Sequence, residues 1–354
     1  MGAPAHLALP ALTASSAVAL ALAVLLVTVI AAVSIGPVSL PFGEVWSIVA
    51  THVSALVRGD AMPTGGANTI VWEIRLPRAL LGVVVGSGLA VVGVVIQALL
   101  GNPLADPYII GVSSGASLGA ILVIVLGGSA LGVGSIPTGA FIGALLAFGL
   151  VFLIAYGDGG LAPMRLVLAG VAVAALLGSF ASFIVISAKD HQVRGALYWS
   201  MGGLTGATWS DLRVPAVVVI VLTGYFLLQG RALNAIAFGD ETAGTLGIDV
   251  PRFRLVSIVL AALMTGVVVA VSGGIGFVAL VIPHMVRLLV GGDHRKVLPL
   301  SAWLGAVFLV WVDVFARMVV QPVEVPIGVI TSAIGAPIFL LLLRTRALRT
   351  GARA

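Results

Sequence analysis

The sequence contains no cysteine and very little charge. Only 9% of its 354 residues are Asp, Glu, Lys or Arg, whereas 60% are hydrophobic. Because soluble domains carry about a quarter charged residues, this composition excludes an ordinary soluble domain and indicates a protein with many membrane spans. Without cysteine, disulfide bonds and thiolate metal sites are excluded as well.

Lysine is also scarce, and its positions exclude one way of using ATP. Neither Lys189 nor Lys296 follows a glycine, whereas a phosphate-binding P-loop requires Gly-Lys followed by Ser or Thr. The five histidines include no i, i+4 pair of the kind that holds zinc on a helix, and no basic run typical of nucleic-acid binding occurs. We therefore expect no catalytic residue, no metal site and no nucleic-acid partner. An ATP-driven process would need a separate ATPase subunit.

Apolar segments occupy most of the chain. A helix needs about 20 residues to cross a bilayer. The first apolar segment has no Lys or Arg before it, so it is predicted to be a transmembrane helix and not a cleaved signal peptide. We predict an all-α, polytopic membrane protein with ten transmembrane helices in the lipid bilayer, at about 16–35, 79–100, 108–126, 138–155, 166–187, 214–228, 255–271, 277–290, 297–319 and 327–343.

Ten spans place both termini on the same side of the membrane. Of the 18 Lys and Arg residues, eleven fall on the side of the termini and seven on the other side. Because cytosolic loops carry the excess of positive charge, this difference favours cytosolic termini. The chain then divides into a first half at about 16–229, a cytosolic segment at about 230–254, a second half at about 255–343 and a cytosolic tail at 344–354.

The segment at 230–254, called the central segment below, is a long polar stretch between two apolar halves. Charged groups in hydrocarbon cost several kcal/mol each, so the segment must lie outside the lipid. Its pattern predicts short amphipathic helices that are broken at Gly239 and Gly247. It is either the place where a soluble partner binds or an ordinary surface loop. Its charged residues are Arg231, Asp240, Glu241, Asp249, Arg252 and Arg254.

A few charges are predicted near the outer surface of the membrane. Asp313 and Arg317 are four residues apart on one predicted helix, so they share a face and can pair. We favour a structural ion pair over a proton relay, because no second buried carboxylate is predicted on a neighbouring span. Arg75 and Arg78 open the second span on the same side as Arg317. These three arginines bind either the carboxylates of a soluble partner or lipid headgroup phosphates.

Several motifs, taken together and in order, resemble the permease subunits of binding-protein-dependent ABC importers for iron chelates and cobalamin, the FecCD family. The resemblance covers nearly all of the chain from Arg75 onward. Its motifs are RLPR at 75–78, Gln97, GNPLADPYIIGVSSGA at 101–116, FGDETAGTLGI at 238–248, GGIGFVALVIPHMVR at 273–287, GGDHR at 291–295, DVFAR at 313–317 and VPIGVITSAIGAPIFLLLL at 325–343.

The resemblance implies a type II ABC importer permease fold in the cytoplasmic (inner) membrane. It implies a second copy of the chain or a close paralogue, two ATPase subunits that carry ATP and Mg, and an extracytoplasmic substrate-binding protein. It assigns ATPase coupling to part of the central segment, and it favours docking of the binding protein for the outer arginines Arg75, Arg78 and Arg317. The implied coupling residues are Gly239, Asp240, Glu241, Leu246, Gly247 and Arg252.

The resemblance also suggests a pathway for the cargo, with one departure. Ser113 and Ser114 are expected to line this pathway. Cobalamin members of the family carry small hydroxyl residues in the loop before the fifth helix, whereas this chain has LAPMR at 161–165. We therefore expect Met164 at the inner gate and an iron chelate, a ferric siderophore or haem, as the cargo of a homodimer with alternating access. Alternatives are cobalamin, an ion-coupled secondary transporter, or a membrane enzyme, for which clustered polar groups are lacking.

Overall fold

The computed structural model describes residues 14–60, 63–128, 132, 134–157 and 160–351. Helices make up nearly all of these residues, and one two-residue hairpin pairs β1 (Tyr156–Gly157) with β2 (Gly160–Leu161). The helices are α1 (Ala14–Ser34), α2 (Phe42–Arg58), α3 (Gly66–Asn68), α4 (Leu76–Leu99), α5 (Val112–Leu126), α6 (Ile136–Ala155), α7 (Pro163–Ile186), α8 (Asp190–Ser200), α9 (Trp209–Leu228), α10 (Gly230–Ala237), α11 (Asp240–Thr245), α12 (Val250–Ser272), α13 (Val278–Val290), α14 (His294–Met318) and α15 (Ile327–Gly351).

Ten apolar helices correspond to the ten predicted spans. A π-helical stretch, Thr69–Arg75, joins α3 to α4 into one continuous helix. In the described residues, seven helices are long and apolar enough to cross a membrane: α1, the continuous Gly66–Leu99 helix, α6, α7, α9, α12 and α14. Three shorter apolar helices, α5, α13 and the Ile327–Leu341 part of α15, complete the set.

Several predicted boundaries differ from the structure, among them the starts of α7 and α12 and the end of α15. Helix α7 begins at Pro163, so Pro163, Met164 and Arg165 of the predicted loop form its first turn. Helix α12 begins at Val250, inside the predicted central segment. Both helices carry proline in their first two positions, where the missing N–H costs nothing. Helix α15 runs to Gly351, through most of the predicted tail.

Helix α4 lies at the centre of the bundle and packs against α9, α12, α13 and α14. Close backbone approach makes this packing possible. A Cβ built on Gly86 would lie 2.2 Å from the carbonyl oxygen of Gly305 on α14, and one built on Gly93 would lie 1.9 Å from that of Ala279 on α13. Small residues at helix crossings let transmembrane helices approach each other closely, and the glycines of α4 allow this approach to both α13 and α14.

The chain between α12 and α13 is a non-helical break inside the bundle. Backbone hydrogen bonds join the last residue of α12, at the edge of this break, and the start of α15 to the loop after α8: Gly203 N donates to Ser272 O at 2.8 Å, and Ile327 N donates to Gly202 O at 2.9 Å. Such irregular backbone is tolerated at membrane depth only where protein groups satisfy it. Here three segments satisfy one another.

Candidate functional site

The central segment folds into two short helices as predicted. Gly239 and Gly247 both have positive φ, 113° and 81°, a conformation that side-chain-bearing residues rarely adopt. These glycines end α10 and α11 at the predicted breaks. On α10, Leu233 and Ile236 are buried, so its apolar face holds the segment against the transmembrane helices.

The exposed surface of the central segment is partly apolar. Phe238 is 80% exposed and Leu246 is 68% exposed, and both stand beside charged residues in a segment too polar for lipid. Glu241 and Arg252 are exposed on the same segment. Large apolar side chains left in water among polar ones are typical of a protein-binding surface. We call these four residues the coupling surface.

Asp240 has a more specific role than the sequence indicates. Its carboxylate accepts two hydrogen bonds from the guanidinium of Arg254, at 2.7 and 3.1 Å. Arg254 belongs to α12 and is buried, whereas Asp240 stands at the start of α11. The pair therefore fixes α11 to the first transmembrane helix of the second half. Its position indicates that Asp240 orients the coupling surface.

Sequence reasoning missed a polar contact at the inner end of α14. The side chain of Asn234, on α10, accepts hydrogen bonds from the backbone N and the ring Nδ1 of His294, each at 2.8 Å, and donates to Asp293 Oδ1 at 2.8 Å. Asp293 caps α14 by accepting from Arg295 N at 3.0 Å. The hydrogen bonds from Asn234 and Arg295 lower the pKa of Asp293. We call Asn234, Asp293 and His294 the Asn234 cluster.

At the opposite end of α14 lies an ionic network, the outer ionic cluster, made of Arg78, Asp313, Arg317 and Glu324. Arg78 contacts Asp313 at 2.8 Å and binds Glu324 through two hydrogen bonds of 2.9 and 3.0 Å. Arg317 contacts Asp313 at 3.2 Å, which confirms the predicted i, i+4 pair. Glu324 also accepts from the Thr205 hydroxyl at 2.7 Å.

The three outer arginines are buried inside the chain. Arg75, Arg78 and Arg317 are only 4%, 5% and 5% exposed. Arg75 donates to the carbonyls of Val33, Ser34 and Val38, and Arg317 donates to those of Ala32 and Ile35. Their predicted role in docking stays a prediction, and this geometry does not favour it, because the internal contacts would first have to break.

The predicted pathway residues lie at the starts of α5 and α7. Ser113 and Ser114 are half-buried in the first turn of α5, and a Cβ built on Gly274 would lie 3.8 Å from Ser113 Oγ. Met164 is 69% exposed in the first turn of α7. Their positions are compatible with a pathway between α5, α7 and the break before α13.

A largely apolar cavity of about 400 Å³ lies beside that break, although neither serine nor Met164 lines it. Sequence reasoning missed the role of Tyr108, which lines this cavity together with Asp106. The Tyr108 hydroxyl accepts a hydrogen bond from Ile275 N and donates to Ile275 O, both at 2.9 Å, so it ties the turn before α5 to the break. The cavity is lined by Asp106, Tyr108, Ile109, Val171, Ala174, Gly276, Phe277 and Leu280.

The arrangement so far is a bundle with an apolar cavity, an exposed surface on the central segment and no group of three or more metal-ligating side chains among the described residues. Residues 24–345 match the FecCD transport family. The chain belongs to this family. The protein is therefore an ABC importer permease, a membrane component of the transporter, as the motifs indicated.

Relatives of the FecCD permease carry different cargoes. This chain is 46% identical to the cobalamin import system permease protein BtuC of Halobacterium salinarum, over 80% of this chain and 75% of that protein. It is 41% identical to the hemin transport system permease protein HmuU of Yersinia pestis, over 93% and 96%. The solved structure of a metal-chelate type ABC transporter in an inward-facing conformation matches with a TM-score of 0.79 and 29% identity, over 94% of this chain and 99% of that one.

Proposed function

We propose that this FecCD permease forms a homodimer that imports an iron chelate, haem or a ferric siderophore, across the cytoplasmic membrane. The observation that carries this proposal is the nearly end-to-end similarity to the hemin permease, 93% of this chain and 96% of that protein. The metal-chelate transporter structure supports it. A caged metal needs no protein ligand, which suits a cavity with few polar groups.

The proposed energy source is a separate ATPase. Two ATPase subunits, each with its ATP and Mg, would bind the coupling surfaces of the two permease copies, and an extracytoplasmic binding protein would deliver the chelate. Both termini would be cytosolic. ATP binding would move the central segment, and the bundle would switch between outward-open and inward-open states.

Cobalamin is the second candidate cargo. The 46% identity to the archaeal BtuC permease favours it. Met164, a bulky apolar residue exposed at the start of α7, stands where cobalamin members are expected to carry small hydroxyl residues. This difference at the inner end of the pathway is the reason for placing the iron chelates first.

Uptake into reconstituted vesicles tests the proposal. The permease would be reconstituted with its ATPase and binding protein, and loaded with labelled hemin, ferric citrate, a ferric hydroxamate or cyanocobalamin in parallel. We expect ATP-dependent accumulation of one iron chelate and none of cyanocobalamin. Accumulation of cyanocobalamin alone would replace the first candidate with the second. Uphill uptake by the permease without ATPase would instead indicate an ion-coupled transporter.

A further inference from the structure

The Asn234 cluster joins the central segment to a transmembrane helix by side-chain contacts. Each of the three hydrogen bonds made by the Asn234 amide is 2.8 Å long, and His294 is only 4% exposed. Asn234 thus binds both the cap of α14 and its first residue. Close packing adds to this contact, since a Cβ built on Gly230 would lie 3.1 Å from Arg295 Cγ. When α10 moves, the first turn of α14 must move with it or these contacts must break.

Two contacts hold α14 to α4 along the rest of its length. The mutual approach of Gly86 and Gly305 leaves no space between the two backbones. Nearer the outer surface, Arg78 on α4 contacts Asp313 on α14 at 2.8 Å. The two helices are thus in close contact at both positions, and we call them the α4–α14 pair. The outer ionic cluster is built on this pair, at the opposite end of α14 from the Asn234 cluster.

One residue interrupts the backbone hydrogen bonds of α14 between the Asn234 cluster and the contacts with α4. Pro299 has no N–H to donate within α14, which weakens the helix at that point. The turn before it is nevertheless firmly packed, because Val297 and Leu298 are both completely buried. Packing thus keeps the first turn of α14 in register with the rest of the helix.

We propose that Asn234 couples the ATPase to the transmembrane helices by transmitting movement of the central segment into the α4–α14 pair. Asn234 touches neither ATP nor cargo and acts through α14, so it is a positioning residue. The inference rests on the proposed function, specifically on binding of an ATPase to the coupling surface. It adds the route by which that binding changes the bundle.

Three variants separate the hydrogen-bonding role of Asn234 from its packing. Asn234→Leu keeps the size and removes every hydrogen bond. Asn234→Asp keeps an acceptor for His294 but places a second carboxylate against Asp293. The exchange Asn234→Asp with Asp293→Asn restores one amide and one carboxylate, and it keeps a good helix cap because Asn caps as well as Asp. Arg231→Ala, at an exposed residue of the same helix, is the control.

The readout is the amount of cargo taken up per ATP hydrolysed, measured in vesicles that contain the complete transporter and the chelate found to accumulate with the wild-type protein. We expect Asn234→Leu and Asn234→Asp to lower this ratio by about tenfold, a change within the usual range for coupled sites. ATPase affinity should stay at the wild-type level, and thermal stability should fall only modestly, because groups of the Asn234 cluster lose a hydrogen-bond partner. The exchange should recover most of the ratio, and Arg231→Ala should leave it unchanged.

Other results would overturn the inference. A wild-type ratio in Asn234→Leu would show that the hydrogen bonds carry no movement. An exchange variant that behaves like Asn234→Asp would show that pairing one amide with one carboxylate at these two positions is not what maintains the ratio. A fall in ATPase affinity that accounts for the loss of uptake, or loss of the folded permease, would assign Asn234 a structural role only. Absence of ATP-dependent uptake in the wild-type transporter would instead overturn the proposed function, so the two failures are distinguishable.

Discussion

Gly86 on α4 and Gly305 on α14 meet backbone to backbone. A Cβ built on Gly86 would lie 2.2 Å from the Gly305 carbonyl oxygen, and one built on Gly305 would lie 2.4 Å from the Gly86 carbonyl oxygen. No side-chain adjustment can relieve contacts with backbone atoms. The absence of side chains at this crossing therefore allows the two central helices of the bundle to pack in direct backbone contact.

We expect Gly86→Ala to destabilise the permease, because the added methyl group forces the two helices apart. Overpacking of this kind typically costs about 1–3 kcal/mol. The matched control is Gly149→Ala on α6, where a Cβ would meet nothing within 4 Å. Thermal unfolding of the purified permease in detergent checks both variants. Equal midpoints for Gly86→Ala and the control would contradict the close approach.

Removing Arg78 should damage the fold before it affects any partner. Asp313, with a side chain only 3% exposed, would keep Arg317 but lose its contact with Arg78. Removing one partner from a buried ionic network lowers the free energy of unfolding by an amount on the order of 3–5 kcal/mol. We expect Arg78→Ala to lower the unfolding midpoint of the permease alone, measured with no binding protein present.

A control for this variant is Arg58→Ala, at an exposed residue near the end of α2. An unchanged midpoint in Arg78→Ala, combined with weaker capture of the binding protein, would restore the docking role that the sequence predicts. A lowered midpoint in Arg78→Ala alone would assign Arg78 to the structure of the outer ionic cluster.

The contact between Arg78 and Glu324 should depend on pH. Partial burial alone raises the pKa of Glu324, but hydrogen bonds and charge from Arg78, with a hydrogen bond from Thr205, outweigh burial and hold the pKa below its usual value. A carboxyl with a lowered pKa stabilises the folded state above its unfolded pKa, about 4.3 for Glu. This stabilisation is lost as the pH falls through the folded value.

Glu324→Gln should therefore unfold at a lower temperature than wild type at pH 7, by an amount that corresponds to about 1 kcal/mol or less, since the group is partly exposed. The difference between the two proteins should shrink as the pH falls below the unfolded pKa of Glu, about 4.3, and should disappear below the lower folded pKa. Unfolding midpoints measured from pH 7 to pH 3 provide the check. A difference that persists unchanged at pH 3 would mean that the charge of Glu324 does not contribute.

The coupling surface should lose its partner when its apolar residues become charged. Phe238 is 80% exposed and Leu246 is 68% exposed, so substitution at either leaves the core intact. We expect Phe238→Asp and Leu246→Asp to weaken ATPase binding by at least about tenfold, as for apolar anchors of an interface. Affinity of the ATPase for nanodisc-embedded permease is the measurement, with Phe238→Leu as the conservative control. Wild-type affinity in both charged variants would place the ATPase elsewhere.

Local features of the fold could be predicted because short-range physics determines them. The ten apolar segments became helices because hydrocarbon requires internally satisfied backbone. Gly239 and Gly247 were predicted as breaks, and both adopt positive φ. The contact between Asp313 and Arg317 followed from the helical period alone. Each of these predictions depended only on residues close together in the sequence.

The contacts that define the site depend on residues far apart in the chain. Arg78 and Glu324 are separated by 246 positions, and Asn234 and Asp293 by 59. No periodicity relates such residues, so the sequence showed outer charges without showing that Glu324 and Asp313 neutralise them. For the same reason, the backbone carbonyls that hold Arg75 could not be predicted. Helix packing alone brings these groups together.

The most direct test of the account compares uptake of the iron chelate that the transporter accumulates, in two preparations of vesicles that differ only in the ATPase. One preparation contains the permease, the binding protein and an active ATPase. The other contains an ATPase whose P-loop lysine is replaced, so that it assembles but does not hydrolyse ATP. The account predicts uphill accumulation of this chelate with the active ATPase and none with the inactive one. Equal accumulation in both preparations would contradict it, because the permease would then draw its energy from another source.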